Sequence, residues 1–149
     1  MPIHTEKRVL PYRPEQIFAL VADVEKYPEF LPWCVACRKT KTFDDGFEAD
    51  LAIGFKMVRE KFTSRVTLNK PDRIEVAYLK GPFSTLSNIW RFTPVKDGDQ
   101  TEINFSLDFE FRSRVIQKLI GVLFEEAVRR MVAAFEARAR DLYGSSETD

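Results

Sequence analysis

Between Ser113 and Tyr143 the apolar residues Ile116, Leu119, Ile120, Leu123, Phe124, Ala127, Val128, Met131, Val132, Phe135, Ala139 and Leu142 recur every three or four positions. The spacing predicts one amphipathic helix of about eight turns, with Ser113 as its N-cap. An apolar stripe that long has to be buried against another layer of structure. Gly121 interrupts it at a cost of ~1 kcal/mol relative to Ala. Two expectations follow for that position: close packing, or room for something else.

The covering layer is visible upstream, where from residue 35 the apolar period changes to two. Phe47, Ala49, Leu51, Ile53 and Phe55 share one strand face, against Glu48, Asp50 and Lys56. Val58, Phe62, Val66 and Leu68 continue the pattern, with Arg59, Lys61, Arg65 and Thr67 facing out. After the Asn69-Lys70-Pro71-Asp72 turn come Ile74, Val76 and Tyr78, then Leu86, Asn88, Trp90 and Phe92 running up to Pro94. A turn at Lys96 to Asp99 leads into Ile103, Phe105, Leu107, Phe109 and Phe111, which alternate with Glu102, Asn104, Ser106, Asp108 and Glu110. These segments are predicted to be half-buried antiparallel strands.

Ahead of them, Ile3 to Leu10 suits a short strand, and Pro14 opens a helical run carrying Ile17, Phe18, Leu20 and Val21. Asp23 is placed to cap a second short helix that breaks near Pro28. The predicted fold is therefore α+β: a curved antiparallel sheet of about six or seven strands around a long C-terminal helix, with two short helices after the first strand. Residues 1–143 are expected to form a single domain, and 144–149 a polar tail.

At 149 residues, such a chain buries roughly 70% of its unfolded surface. The 13 Phe, against 4 Tyr and 2 Trp, make the interior unusually oily, because Phe brings no polar group to satisfy. That suits a packed core or an apolar hollow between sheet and helix; alternation alone does not separate the two. Lys plus Arg equals Asp plus Glu at 23 each, so the net charge is zero and gives no long-range attraction to DNA, other nucleic acid or an anionic membrane, leaving only a local basic patch open. No apolar run approaches the ~20 residues of a membrane-crossing helix, and the N-terminus lacks a signal-peptide core. A cytoplasmic location is expected, with both cysteines reduced.

The segment VADVEKYPEFLPWC at residues 21–34, the stretch Phe62-Thr63-Ser64-Arg65-Val66, the series Gly81-Pro82-Phe83 followed by Leu86-x-Asn88-x-Trp90-x-Phe92-x-Pro94, and the terminal helix together resemble the coenzyme Q-binding START-domain family. The resemblance covers residues 3–143. It implies the helix-grip, or birch-pollen-allergen-like, fold, in which lipids or polyketides are held between sheet and helix. It also implies a carrier or chaperone of ubiquinone, or a similar isoprenoid lipid, that supports respiratory electron transport. The quinone is then a bound ligand rather than a catalytic cofactor, and transient contact with the inner membrane surface is expected. The ribosome-association toxins are similar in the same motifs, which implies a second candidate partner, the large ribosomal subunit.

The sequence Trp33-Cys34-Val35-Ala36-Cys37 has the spelling of a redox dithiol. Such a site needs its first Cys at a helix N-terminus, and the residues after Cys37 read as a strand. Zinc would need two further thiols or imidazoles, and His4 is the sole histidine. Tyr27, Phe30, Leu31 and Trp33, broken up by Pro28 and Pro32, read instead as an apolar flap. It either plugs one end of the core or forms a movable lid at a cavity mouth.

Strand alternation places Ser64 and Glu60 on the face of Phe62 and Val66, and Asn88 on that of Leu86, Trp90 and Phe92. An unpaired buried amide or hydroxyl costs roughly 1 to 3 kcal/mol, so each needs a partner. Quinone oxygens suit Asn88 and Ser64; bonds to each other, to water or to nearby backbone are the alternative. The expected ligand contacts are these two with Phe30, Trp33, Phe62, Val66, Leu86, Trp90, Phe92, Phe105, Leu107, Phe109 and the helix residues Leu123, Phe124, Ala127 and Met131. A cyclase or dehydratase would need a deep acid or base, for which Glu60 is the candidate. Neither catalytic nor metal-binding residues are otherwise expected, and the chain reads as a binding protein rather than an enzyme.

Overall fold

The computed structural model describes residues 3–55 and 58–144. Strand β1 (Ile3–Leu10) is followed by helix α1 (Pro14–Ala22) and a 3-10 helix (Val24–Glu29). Six strands follow: β2 (Cys34–Phe43), β3 (Gly46–Phe55), β4 (Val58–Asn69), β5 (Arg73–Lys80), β6 (Phe83–Val95) and β7 (Gln100–Phe111). The chain then enters helix α2 (Arg114–Tyr143). The strands form one curved antiparallel sheet in the order β1-β7-β6-β5-β4-β3-β2, the expected helix-grip arrangement. The expected outward place of Lys56, the faces expected for the Phe55 and Val58 side chains, and the tail beyond Gly144 lie outside the described residues.

Local chemistry sets the boundaries. The Ser113 hydroxyl accepts the Ile116 N–H at 3.2 Å, satisfying a first-turn donor of α2. Pro14 occupies the first turn of α1, where its missing N–H costs nothing, and the Gln16 side chain accepts the Arg13 N–H at 2.9 Å. Asp23 stands at the head of the 3-10 helix, but its side chain makes no capping bond; its carbonyl accepts the Lys26 N–H instead. Pro28 lies within that helix rather than ending it, and Phe30 closes the turn by donating to the Tyr27 carbonyl.

On the outer face two arginines pair with acidic residues of the β2–β3 hairpin. Arg65 reaches Asp45 at 3.0 Å and covers the Phe43 ring, while Arg38 lies 4.0 Å from Asp50. Gly46 is dictated by a close approach: a Cβ there would fall 1.9 Å from the Val66 carbonyl oxygen.

Burial along α2 is uneven. Its buried side chains, Val128, Met131, Phe135 and Ala139, run from the midpoint of the helix onward, and the last three join the main core with residues of α1, β6 and β7. Tyr143 fixes the end of the helix by donating to the Gln16 carbonyl at 2.8 Å. In the N-terminal half Ile116, Ile120 and Phe124 touch a separate cluster around Phe83, Phe109 and Phe111 and are only half-buried. A Cβ on Gly121 would meet nothing within 4 Å, so this glycine permits no close approach.

Candidate ligand-binding cavity

The sheet and α2 enclose a cavity of about 240 Å³. Its floor comes from alternate residues of five strands: Ala49, Leu51 and Ile53; Phe62, Ser64 and Val66; Ile74 and Val76; Phe83, Leu86, Asn88 and Trp90; Phe105, Leu107, Phe109 and Phe111. Ile120, Phe124, Ala127, Val128, Met131 and Phe135 form its roof on α2. Val21, Val24, Tyr27, Leu31, Trp33 and Cys37 close one end.

Of the residues expected from sequence to contact a ligand, Trp33, Phe62, Ser64, Val66, Leu86, Asn88, Trp90, Phe105, Leu107, Phe109, Phe124, Ala127 and Met131 stand on this wall. Three do not. Phe92 is 2% exposed and packs edge-on to Phe18 of α1, 5.9 Å away, because α1 covers that end of β6. Phe30 lies outside the wall, against Phe135 at 5.3 Å and beneath the Arg138 guanidinium. Leu123 is half-buried beside the cavity-facing Phe124, off the wall. Glu60, opposite Ile53 in the register, is also absent from it.

Sequence reasoning missed Phe83, Phe111, Ile120 and Phe135, as well as Val21 of α1 and Val24 of the 3-10 helix, but did set Tyr27 and Leu31 in the flap that borders the cavity. Phe111 continues the β7 alternation and Phe135 the helical one, so the signal was present for both. Val21 and Val24 come to the wall only through the tertiary placement of α1.

Few polar groups face this space. The Trp90 indole donates to the Asn88 carbonyl oxygen at 3.0 Å, and the Asn88 amide donates to the Ser106 carbonyl at 2.8 Å. One amide hydrogen of Asn88 is left uncommitted, so this side chain is mainly tied to the protein. Tyr27 donates to the Val21 carbonyl, and burial pushes its hydroxyl far above the usual tyrosine range. Ser64 differs: it is 5% exposed, lines the cavity and makes no side-chain hydrogen bond to a described residue.

The two thiols are packed rather than activated. A bulge at Val35 shifts the β2 register, so Cys34 and Cys37 both turn inward despite their odd spacing. Burial pushes Cys34 up to about 11. Burial, with Cys34 as neighbour, pushes Cys37 up to about 12. Neither sits at a helix N-terminus, so the thiolate that redox exchange requires is disfavoured. The surrounding flap is tied down: Tyr27 packs edge-on to Phe135 at 5.6 Å, and the Trp33 carbonyl accepts the Gly54 N–H at 2.8 Å.

Residues 10–136 match the family model described as polyketide cyclase / dehydrase and lipid transport. The chain belongs to that family. Among its relatives, the ribosome association toxin RatA of Rickettsia prowazekii is 37% identical over 139 residues, covering 91% of this chain and 94% of the relative. The mitochondrial coenzyme Q-binding protein COQ10 homolog B of Xenopus laevis is 34% identical over 152 residues, covering 97% of this chain and 60% of the relative. An 18 kDa Caulobacter crescentus protein of known solution structure is 39% identical with a TM-score of 0.80, covering 97% of this chain and 100% of that one. The Zhui aromatase/cyclase from Streptomyces has a TM-score of 0.83 at 15% identity, with 97% and 98% coverage, a likeness of fold.

Proposed function

We propose that this protein is a carrier or chaperone for an isoprenoid lipid, with ubiquinone the leading candidate, serving respiratory electron transport. The observation that carries the proposal is the cavity itself: an apolar hollow floored by alternate strand residues, faced by the hydroxyl of buried Ser64, which has no side-chain partner among the described residues. Apolar burial at ~25 cal/mol per Å² drives entry of such a ligand without any charged contact. Ser64, with the spare Asn88 hydrogen, then donates to a quinone oxygen. A volume of about 240 Å³ lies below the ~300–1,000 Å³ of typical small-molecule pockets. The ring and the start of its tail fill this space, and the remainder leaves under the loosely packed half of α2. The relative that binds coenzyme Q supports this ligand class.

Binding rather than catalysis is favoured by the cavity's chemistry. Glu60 stands off the wall, and the titratable groups on it, Tyr27 and Cys37, are held neutral by burial. The toxin relatives support a second function, association with ribosomes. Organic extraction and mass spectrometry of the purified protein separate the two. An isoprenoid quinone recovered near one per chain, and reduced several-fold by Ser64→Val, is the expected result. Extracts free of lipid, from a protein that sediments with ribosomes, would overturn the carrier proposal.

A further inference from the structure

The N-terminal half of α2 carries apolar groups that cover nothing. Val115 is 71% exposed and Val122 79% exposed, and their spacing puts them with the half-buried Leu119 along one side of the helix. Lys118 borders this stripe. Arg112 and Arg114 precede it, and between Glu110 and Glu125 there is no acidic residue. None of these three cations has an ion pair among the described residues, although the chain as a whole is neutral. The Arg112 N–H donates to the Pro82 carbonyl at 2.8 Å, which joins the turn after β5 to the same end of the molecule. That turn adds exposed Lys80 and, just before it, Leu79 at 47% exposure. Lys61 adjoins it, since a Cβ on Gly81 would lie 3.0 Å from the Lys61 carbonyl oxygen.

We infer that this end of the molecule is a docking surface for an anionic lipid bilayer. Cations without an ion pair among the described residues, around exposed aliphatic side chains, match phosphate headgroups above hydrocarbon, and Arg112, Arg114, Lys118, Lys80 and Lys61 outnumber the neighbouring Glu110. Folded nucleic acid would use the cations but leaves Val115, Val122 and Leu79 without a partner. The same helix turns present Ile120 and Phe124 to the cavity, so docking sets the weakly packed roof against the membrane. The inference builds on the lipid-carrier proposal but tests a different property, attachment rather than cargo.

Flotation of the full chain with phosphatidylcholine vesicles, with and without phosphatidylglycerol, tests it. Binding is expected to the mixed vesicles only and to weaken with added salt. Arg114→Glu with Lys118→Glu should lower the bound fraction at least about tenfold. Val115→Asn with Val122→Asn should lower it several-fold at constant charge, and Arg114→Lys with Lys118→Arg should preserve it. All of these residues are exposed, so unchanged thermal unfolding and unchanged extractable lipid confirm that fold and cargo are intact. Equal binding to both vesicle types, no binding to either, or indifference to both the Glu and Asn pairs would overturn the inference. So would ribosomal RNA binding abolished by the Glu pair with no vesicle binding at all.

Discussion

The two halves of α2 share one apolar repeat but meet different surroundings. From Val128 onward each inward residue finds a neighbour: Ala139 is fully buried, Phe135 meets Trp90 at 5.3 Å, and Arg138 pairs with Glu29 at 3.0 Å while covering Phe30. That pairing holds the Glu29 carboxyl below the usual carboxylate range. Before Val128, Ile116, Ile120 and Phe124 meet only the small Phe83, Phe109 and Phe111 cluster, Ile120 and Phe124 border the cavity, and all three stay half-buried. The difference comes from α1 and the 3-10 helix, which wedge against one half of α2 only. Amphipathic spacing thus gives the direction of a face, while its neighbours set how tightly it closes.

The sharpest way to break this contrast is a matched pair of truncations. Phe92→Ala, at the closed end, should lose ~3–5 kcal/mol of unfolding free energy, because the site is sealed by Phe18 and cannot collapse. Phe124→Ala, beside space already present, should cost only about 1–2 kcal/mol. Equal losses in denaturant titrations would mean that the halves are equally packed. Next in size, Ala127→Phe should fill the hollow and cut extractable lipid at least tenfold, while stability changes by about 1 kcal/mol or less.

The cysteines probe the closed end through pH. Their folded-state values, about 11 and about 12, lie above the ordinary thiol value of 9.0. The neutral thiols therefore contribute stability that is fully present below about pH 9 and is lost as pH rises toward 12. Native protein should also alkylate slowly with iodoacetamide at pH 8 and rapidly once unfolded; fast native labelling would contradict the packing described. The smallest effect is at the open end: Gly121→Ala has nothing to clash with and should stabilise by up to ~1 kcal/mol.

Strand and helix periodicity made the fold legible, because every strand from β3 to β7 has one face on the core. The edge strand β2 was the exception. Most of its side chains are exposed, and the bulge at Val35 breaks the two-residue rule that would set Cys34 and Cys37 on opposite faces. In the cavity, alternation located the floor but could not tell Phe92 from Trp90, since the covering of β6 by α1 is a long-range fact. Ser64 was legible as inward, whereas the tie from Asn88 to the Ser106 carbonyl depends on the neighbouring strand β7.

The irregular β2 edge also bears on what the sheet can join. An edge strand invites strand addition, yet the Glu25 carboxylate accepts the Lys39 N–H at 3.1 Å, the kink at Val35 spoils the register, and Arg38, Lys39 and Lys41 crowd the approach. A second copy sliding alongside would bring like charges together. The layer is in effect terminated at that border, which disfavours edge-to-edge pairing of copies.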